Sequence, residues 1–180
     1  MLAIASSDEL RSEITCILRP VPVLDEQSRE YVAGVLAFPL SHSMEEIRLN
    51  HRAAYNSEVA ENPEIRLQHF TDMSNRCLCA GAFYLDELEK DETIDEVGLM
   101  DLGKAGYRAA AMHASRMEAD GTIYTRLSET FHQIVAYVNP LMKKYMDGRN
   151  SIPRLVFWTP RGERIFKAQY SANWYLNICS

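Results

Sequence analysis

The sequence predicts an α+β fold, with a mainly helical body followed by a C-terminal three-stranded antiparallel meander. Apolar residues recur with helical spacing over much of residues 1–147, whereas RLVFW and ERIFKAQY further on are typical of strands. The chain has 180 residues, a length that suits one domain with a sizeable core. We therefore expect a single domain, residues 1–180, whose helical part covers about 1–147 and whose meander covers about 153–179.

Three helices are predicted in the first third of the chain, each ended by a proline, and the first and third begin at a polar cap. They cover about residues 7–19, 25–37 and 43–61. In the third helix Glu46 follows Ser43 by three residues, which is the capping-box pattern. The prolines fix these boundaries because a proline inside a helix removes a hydrogen-bond donor and clashes with the preceding turn.

The middle of the chain gives a weaker signal. Residues 72–90 fit either a helix or a buried strand, because periodicity does not separate short apolar runs. Their length favours a helix. The following stretch, residues 91–106, contains an acidic cluster and three glycines and is predicted to be a loop.

Two long helices are predicted next, over about residues 104–119 and 122–146, each ended by Asp-Gly. Apolar and aromatic residues in the second helix follow a spacing of 3 and 4, and Pro140 is expected to kink it. This seam is interpreted as the face of a central core helix. The alternative is a dimer seam, with Tyr124, Leu127 and Phe131 as candidate interface residues.

The last segment predicts a hairpin with a tight turn at TPRG and a third strand at NWYLNIC. If Trp158 pairs with Glu163, both faces of the sheet are largely apolar. Such a sheet needs cover on both sides, from helices or from another molecule. Trp158 and Trp174 therefore join the candidate interface residues.

Charge is unevenly distributed along the chain. From Lys143 to the end there are seven Lys or Arg and two acids, a net charge of +5, whereas the first 142 residues carry 12 and 23, a net charge of −11. In the predicted register Arg154 lies opposite Lys167, and facing like charges cost stability unless an acid or a bound anion lies between them. The candidate anion-binding or nucleic-acid-binding residues are Arg154, Arg161, Arg164 and Lys167. A core sheet that carries basic residues is nevertheless favoured over a nucleic-acid platform.

Motifs for catalysis, cofactors or metals are weak. The only candidate metal motif in the late helices is Glu129-x-x-His132, and a di-iron bundle needs two such motifs. No phosphate loop and no activated nucleophile is recognised. We therefore predict no metal and no cofactor, and name His113 and His132 as candidate pocket residues in a pocket between helices and sheet.

The four cysteines do not form a disulfide framework, the N-terminus lacks a basic leader, and the longest uncharged stretch, residues 31–44, has 14 residues. These observations predict a cytoplasmic protein without membrane contact. The favoured function is a non-enzymatic regulatory or protein-interaction module that acts as a small homodimer and binds a protein partner. The alternatives are a nucleic-acid-binding regulator that uses the basic C-terminal sheet, and a small-molecule sensor or enzyme, for example a transferase.

Overall fold

The computed structural model describes residues 7–41, 62–88, 96–147, 154–159 and 162–167. This part of the chain forms five helices: α1 (Ser7–Ile17), α2 (Glu26–Ser41), α3 (Pro63–Leu88), α4 (Glu96–Arg116) and α5 (Thr122–Asp147). Two strands follow, β1 (Arg154–Thr159) and β2 (Gly162–Lys167), which pair antiparallel. The third predicted helix, at 43–61, lies outside the described residues.

The predicted α+β fold is wrong. Among the described residues between 7 and 147 none lies in a strand, and the core consists of side chains from the helices and from the turn between α1 and α2. In the part of the chain that is described, β1 and β2 pair with each other as a two-stranded hairpin. A lone hairpin is not a layer of a domain. The predicted third strand lies outside the described residues.

The hairpin register is the predicted one, with Trp158 opposite Glu163 and Arg154 opposite Lys167. Turn residues and strand alternation fix pairing between neighbours in sequence, so this local feature could be predicted. They do not show whether a sheet forms a layer of the domain, and the fold prediction failed there, because the described core is built without strand residues.

The first two helices are joined by a turn whose apolar residues point into the core, Leu18, Val21 and Leu24. Asp25 caps α2, since its Oδ1 accepts a hydrogen bond of 2.8 Å from the backbone amide of Ser28.

Helix α2 continues to Ser41, past its predicted end at Phe38-Pro39. Pro39 has no amide hydrogen and leaves the carbonyl of Val35, four residues earlier, without its helical donor. The thiol of Cys79 on α3 donates to this carbonyl, with Sγ 3.4 Å from the oxygen. A weak donor from a neighbouring helix thus replaces the missing bond.

The helical interpretation of residues 72–90 is confirmed as far as Leu88, because α3 is helical from Pro63 to Leu88 with one residue, Tyr84, outside helical dihedral angles. The predicted loop at 91–106 is wrong from residue 96 onward, because α4 begins at Glu96 and includes the glycines that indicated a loop. A Cβ at Gly103 would collide with the Phe131 ring of α5.

Gly106 approaches α3 just as closely, since a Cβ there would collide with Ser74 Oγ. Ser74 in turn donates a hydrogen bond of 2.9 Å to the carbonyl of Gly103. Both glycines therefore serve close helix packing, although glycine lowers intrinsic helix propensity by about 1 kcal/mol relative to alanine.

Helix α5 lies at the centre of the core. Its buried seam comprises Leu127, Phe131, Ile134, Val135, Val138, Met142 and Met146. The core-helix interpretation of this seam is the one that the packing supports, because these side chains bury their surface within one chain. The helix continues through Pro140.

A buried polar cluster links three helices. The hydroxyls of Tyr31 on α2 and Tyr107 on α4 both donate to Oδ1 of Asn75 on α3, at 3.0 and 2.7 Å. Burial raises the pKa of both phenols, so they remain neutral donors. Tyr124 on α5 stacks on Tyr107, with ring centroids 6.4 Å apart.

Candidate binding groove

A surface groove of about 720 Å³ lies between α4 and α5. Helix α4 contributes Lys104, Arg108, Ala111, Met112, Ser115 and Arg116 to its lining, and α5 contributes Thr125, Ser128 and Glu129. We call this surface the α4–α5 groove. It combines positive charge, hydroxyl groups and one exposed thioether.

The spacing of residues on α4 explains how the groove acquires its charge. Lys104, Arg108, Met112 and Arg116 are four residues apart, so they form one stripe along the helix. The rotation of α4 is fixed because Gly103 and Gly106 are packed against neighbouring helices. The stripe is thereby held at the edge of the interface with α5, where all four side chains line the groove.

The cations of the groove are not neutralised within the described structure. Glu129 is the only acid in the lining, against three basic side chains. Lys104, Arg108 and Arg116 form no ion pair with any residue in the described part of the chain. Unpaired charges on one helical stripe create a positive potential that attracts anions.

Ion pairs between described residues occur elsewhere. Arg126 pairs with Asp25, Lys143 pairs with Asp86, and His132 lies 3.8 Å from Asp101. These acids join α5 to the N-terminus of α2, to α3 and to α4, so they are engaged in holding helices together. The groove cations have no such structural partner among the described residues.

The positive charge near the end of α4 also acts on His113. The imidazole of His113 stacks on Phe70 of α3, with ring centroids 5.3 Å apart. Burial lowers the pKa of His113, and the nearby charges of Arg116 and Arg66 lower it further. Arg116, the last cation of the groove, thus acts electrostatically beyond the groove itself.

The predicted pocket residues are not brought together. His113 packs against α3, whereas His132 is exposed and lies near Asp101. Neither lines the α4–α5 groove. The predicted pair therefore forms no shared pocket in the described structure.

The candidate interface residues differ in their burial and in how far the structure describes them. Leu127 and Phe131 have no exposed surface, so they contact the core of their own chain. Tyr124 is partly buried against Tyr107 and Tyr31. For Trp158 the structure describes only the backbone, and Trp174 lies outside the described residues.

The candidate anion-binding residues of the C-terminal segment are located only by their backbone. Arg154 faces Lys167 and Arg164 faces Phe157 across the hairpin, while Arg161 lies outside the described residues. Their role in binding an anion or a nucleic acid stays a prediction.

The two buried thiols have little nucleophilic character. Burial raises the pKa of both Cys77 and Cys79 to about 12, so both are protonated at neutral pH.

In the described ranges no three His, Cys, Asp or Glu side chains cluster closely enough to hold a metal ion. No helix in those ranges combines the length and apolar character needed to cross a bilayer.

Sequence reasoning missed the groove. The signal was present, because three basic residues in the predicted helix 104–119 share one four-residue stripe. It was overlooked because only the net charges of residues 1–142 and 143–180 were considered, and the negative net charge of the first part conceals a local basic surface.

Comparison of the chain with protein-family models, with curated proteins and with solved structures finds no match in any of the three.

Proposed function

We propose that the protein is an interaction module that binds an acidic segment of a protein partner in the α4–α5 groove. One observation carries this proposal: Lys104, Arg108 and Arg116 line the groove beside a single acid and have no ion-pair partner in the described structure. Charge complementarity favours an anionic ligand and speeds its association.

The length of the stripe favours a peptide over a compact anion. Lys104 and Arg116 are twelve residues apart on one helix, which corresponds to about 18 Å. An extended segment of about five or six residues covers this distance. A single phosphate or carboxylate would contact only one end.

The remaining lining supports the same ligand class. Met112 is 53% exposed, an unusual position for an apolar side chain, and its flexible thioether adapts to different apolar partners. Ser115 and Thr125 place hydroxyl groups in the groove that can bond a peptide backbone. A ligand with alternating acidic and apolar side chains suits this combination.

We further propose a cytoplasmic location. Cys16, Cys77 and Cys79 are free thiols, which is the state expected in a reducing compartment. The proposed activity is binding and requires no chemical step by these groups.

The test is binding of a fluorescently labelled peptide in which Glu alternates with Leu, followed by fluorescence anisotropy. A peptide with Gln in place of Glu is the matched uncharged ligand. We expect the acidic peptide to bind at least about tenfold more tightly, and its affinity to fall between about 50 and 500 mM salt.

The variant Lys104→Glu/Arg108→Glu/Arg116→Glu should lose the binding of the acidic peptide. The matched control is Arg11→Glu/Arg19→Glu/Lys144→Glu, which changes the net charge equally at exposed positions outside the groove. Equal loss in both variants would contradict a specific groove, because it would show that only net charge matters. Equal binding of the Glu and Gln peptides would reject an acidic ligand.

A further inference from the structure

We infer that the acidic segment bound in the α4–α5 groove carries a phosphoryl group, which Lys104, Arg108 and Ser128 hold at one end of the groove. This inference rests on the proposed function, since it names the chemistry that the same groove recognises. Its starting point is Ser128, whose side chain lines the groove and has no hydrogen-bond partner among the described residues. An unpartnered hydroxyl in a basic groove is a donor that a ligand can use.

Ser128 is exceptional among the buried polar side chains. Four such side chains are found in the described structure, and Ser128 is one of them, with 6% of its surface exposed. The other three, Ser28, Ser74 and Asn139, form hydrogen bonds with neighbouring residues. Buried polar groups are normally hydrogen-bonded, because burial deprives them of their bonds to water. A partner for the Ser128 hydroxyl therefore has to come from the groove.

The helix itself does not provide that partner. A hydroxyl side chain in a helix can donate to the backbone carbonyl four residues earlier. Thr125 and Thr130, on either side of Ser128 in α5, both do so, at 3.3 and 2.8 Å. Ser128 forms no such bond in the described structure. The one fully enclosed side-chain nitrogen or oxygen without a partner there is Arg29 Nε, so the Ser128 hydroxyl is accessible from the groove that it lines.

Helices α4 and α5 run antiparallel along the groove. Gly103 of α4 is packed against Phe131 of α5. Further along α4, Ala111 lies against Gly121, which directly precedes α5. Residue numbers that rise along α4 therefore fall along α5, and the contact between Gly103 and Phe131 marks one common level of the two helices.

Counting from this level places Ser128 between two cations. At a rise of about 1.5 Å per residue, Lys104 lies about 1.5 Å along the helix pair, Ser128 about 4.5 Å and Arg108 about 7.5 Å. The hydroxyl on α5 is thus level with the midpoint between the two basic residues on α4. All three side chains line the groove, so this end of it presents donors from both helices.

A phosphoryl group suits these donors better than a carboxylate does. Phosphoserine carries a charge of about −1.5 to −2 at neutral pH and three terminal oxygens, whereas a carboxylate carries a single charge and two oxygens. The planar guanidinium of Arg108 can donate to two of the three oxygens, and Lys104 adds a second positive charge. The hydroxyl of Ser128 then donates to the third oxygen.

Glu129, the one acid in the groove lining, follows Ser128 directly and repels an anion at this end. Two cations, Lys104 and Arg108, against this one acid leave a local net charge of +1. Glu129→Gln should therefore strengthen the binding of a phosphorylated peptide. Such a gain would locate the phosphoryl group at this end of the groove and not beside Arg116.

The experiment is fluorescence anisotropy at about 150 mM salt with three labelled peptides that differ at one position. In the peptide of alternating Glu and Leu, the Glu nearest one end is kept, replaced by phosphoserine or replaced by serine. The replacement is made at each end in turn, so that both orientations of the peptide are covered. We expect the better phosphoserine peptide to bind at least about tenfold more tightly than the Glu peptide, and the serine peptide to bind most weakly.

Two variants test the donors. Ser128→Ala removes the hydroxyl and should weaken the binding of the phosphoserine peptide at least about fivefold, while the Glu peptide changes by less than about twofold. Ser115→Ala is the matched control, because the Ser115 side chain also lines the groove without a hydrogen bond but lies about 10 Å beyond Arg108 along α4. Arg108→Lys keeps the charge without the planar fork and should reduce the preference for phosphoserine. Circular dichroism establishes that each variant is folded.

Two outcomes would overturn the inference: equal affinity for the phosphoserine and Glu peptides, or a phosphoserine preference that Ser128→Ala leaves unchanged. Displacement of the phosphopeptide by an equal concentration of inorganic phosphate would also contradict it, because the ligand would then be a free phosphate. The proposed function is judged separately by the Glu and Gln peptides. If the Glu peptide binds and phosphoserine adds nothing, this inference alone fails. If no peptide binds, both proposals fail.

Discussion

Asn139 on α5 donates hydrogen bonds from Nδ2 to two backbone carbonyls of α3, those of Gly81 at 3.0 Å and Ala82 at 3.2 Å. These carbonyls lie just before Tyr84, whose backbone angles (φ −130°, ψ 20°) leave the helical region. The buried amide of the neighbouring helix donates to both carbonyls, so Asn139 ties the irregular part of α3 to the central helix.

Replacement of Asn139 by Leu should therefore destabilise the protein. The substitution keeps similar volume but leaves two buried carbonyls without this donor, which costs about 1–3 kcal/mol of unfolding free energy. Urea denaturation followed by circular dichroism measures the difference. Gln133→Leu, at an exposed position on the same helix, is the control and should change stability by less than about 0.5 kcal/mol. Equal stability of the two variants would show that the α3 carbonyls do not need this amide.

Gly103→Ala should also destabilise the protein, although alanine is the better helix former. The added Cβ would overlap the Phe131 ring, and overpacking of this kind costs about 1–3 kcal/mol. Gly34→Ala is the control, because the nearest atom to its new Cβ, Arg11 Nε, is 3.7 Å away. There the gain in helix propensity should raise stability by about 0.5–1 kcal/mol.

Thermal and urea unfolding show whether each substitution raises or lowers the stability of the protein. A second substitution, Phe131→Leu in the Gly103→Ala background, should recover part of the loss because the smaller side chain makes room. If Gly103→Ala were as stable as Gly34→Ala, close packing between α4 and α5 would not explain this glycine.

These glycines also explain the limits of prediction from sequence. A glycine that ends a helix and a glycine that admits a neighbouring helix look alike in one sequence, and only tertiary contacts separate them. The predicted loop was wrong from residue 96 onward for this reason, because Gly103 and Gly106 pack against Phe131 and Ser74. By contrast, the buried seam of α5 was predictable, since a sustained spacing of 3 and 4 marks one face of a long helix.

The α4–α5 groove could likewise be predicted only in part from the sequence. Its cationic stripe follows from residue spacing on α4, but its second wall comes from Thr125 and Glu129 on α5. The distance between the two walls depends on helix packing that periodicity does not reveal. His113 and His132 face different neighbours, a difference that separate helical patterns do not show.

The described thiols should differ sharply in reactivity. Cys16 is exposed, whereas Cys77 and Cys79 are buried and burial raises the pKa of both to about 12. Iodoacetamide at pH 8 should modify Cys16 rapidly, and Cys77 and Cys79 only on unfolding, because the thiolate is the reactive form. Peptide mass spectrometry after timed quenching locates the modified residues. Cys16→Ser serves as the control that removes the fast site.

The same pKa shift gives a dependence of stability on alkaline pH. The usual thiol pKa is 9.0 and the folded-state value is about 12 for both Cys77 and Cys79. Folding therefore favours the protonated thiols, and their contribution is fully present below pH 9 and is lost as pH rises toward 12. Cys77→Ala/Cys79→Ala should show a weaker loss of stability across this window. Rapid alkylation of Cys77 or Cys79 in the folded protein would contradict their burial.

The last prediction concerns acid. The pKa of Asp25 is lowered by hydrogen bonds from the Ser28 amide and hydroxyl and by the charges of Arg126 and Arg29. A carboxyl whose folded pKa lies below its usual 3.8 stabilises the fold above that value, and the contribution is lost as pH falls further. Asp25→Asn keeps a capping side chain but removes the charge, and should cost about 0.2–1 kcal/mol at pH 7.

Urea unfolding of the unaltered chain and of Asp25→Asn at pH 7 and near pH 3 measures this contribution. We expect the difference between the two proteins to shrink at the lower pH, because the contribution of a carboxyl with a lowered pKa is lost progressively as pH falls below 3.8. Glu30→Gln, an exposed change on the same helix, is the control for loss of one negative charge. A difference that stayed constant with pH would assign the effect of Asp25 to capping geometry alone, because a charge-dependent contribution must follow the protonation of the carboxylate.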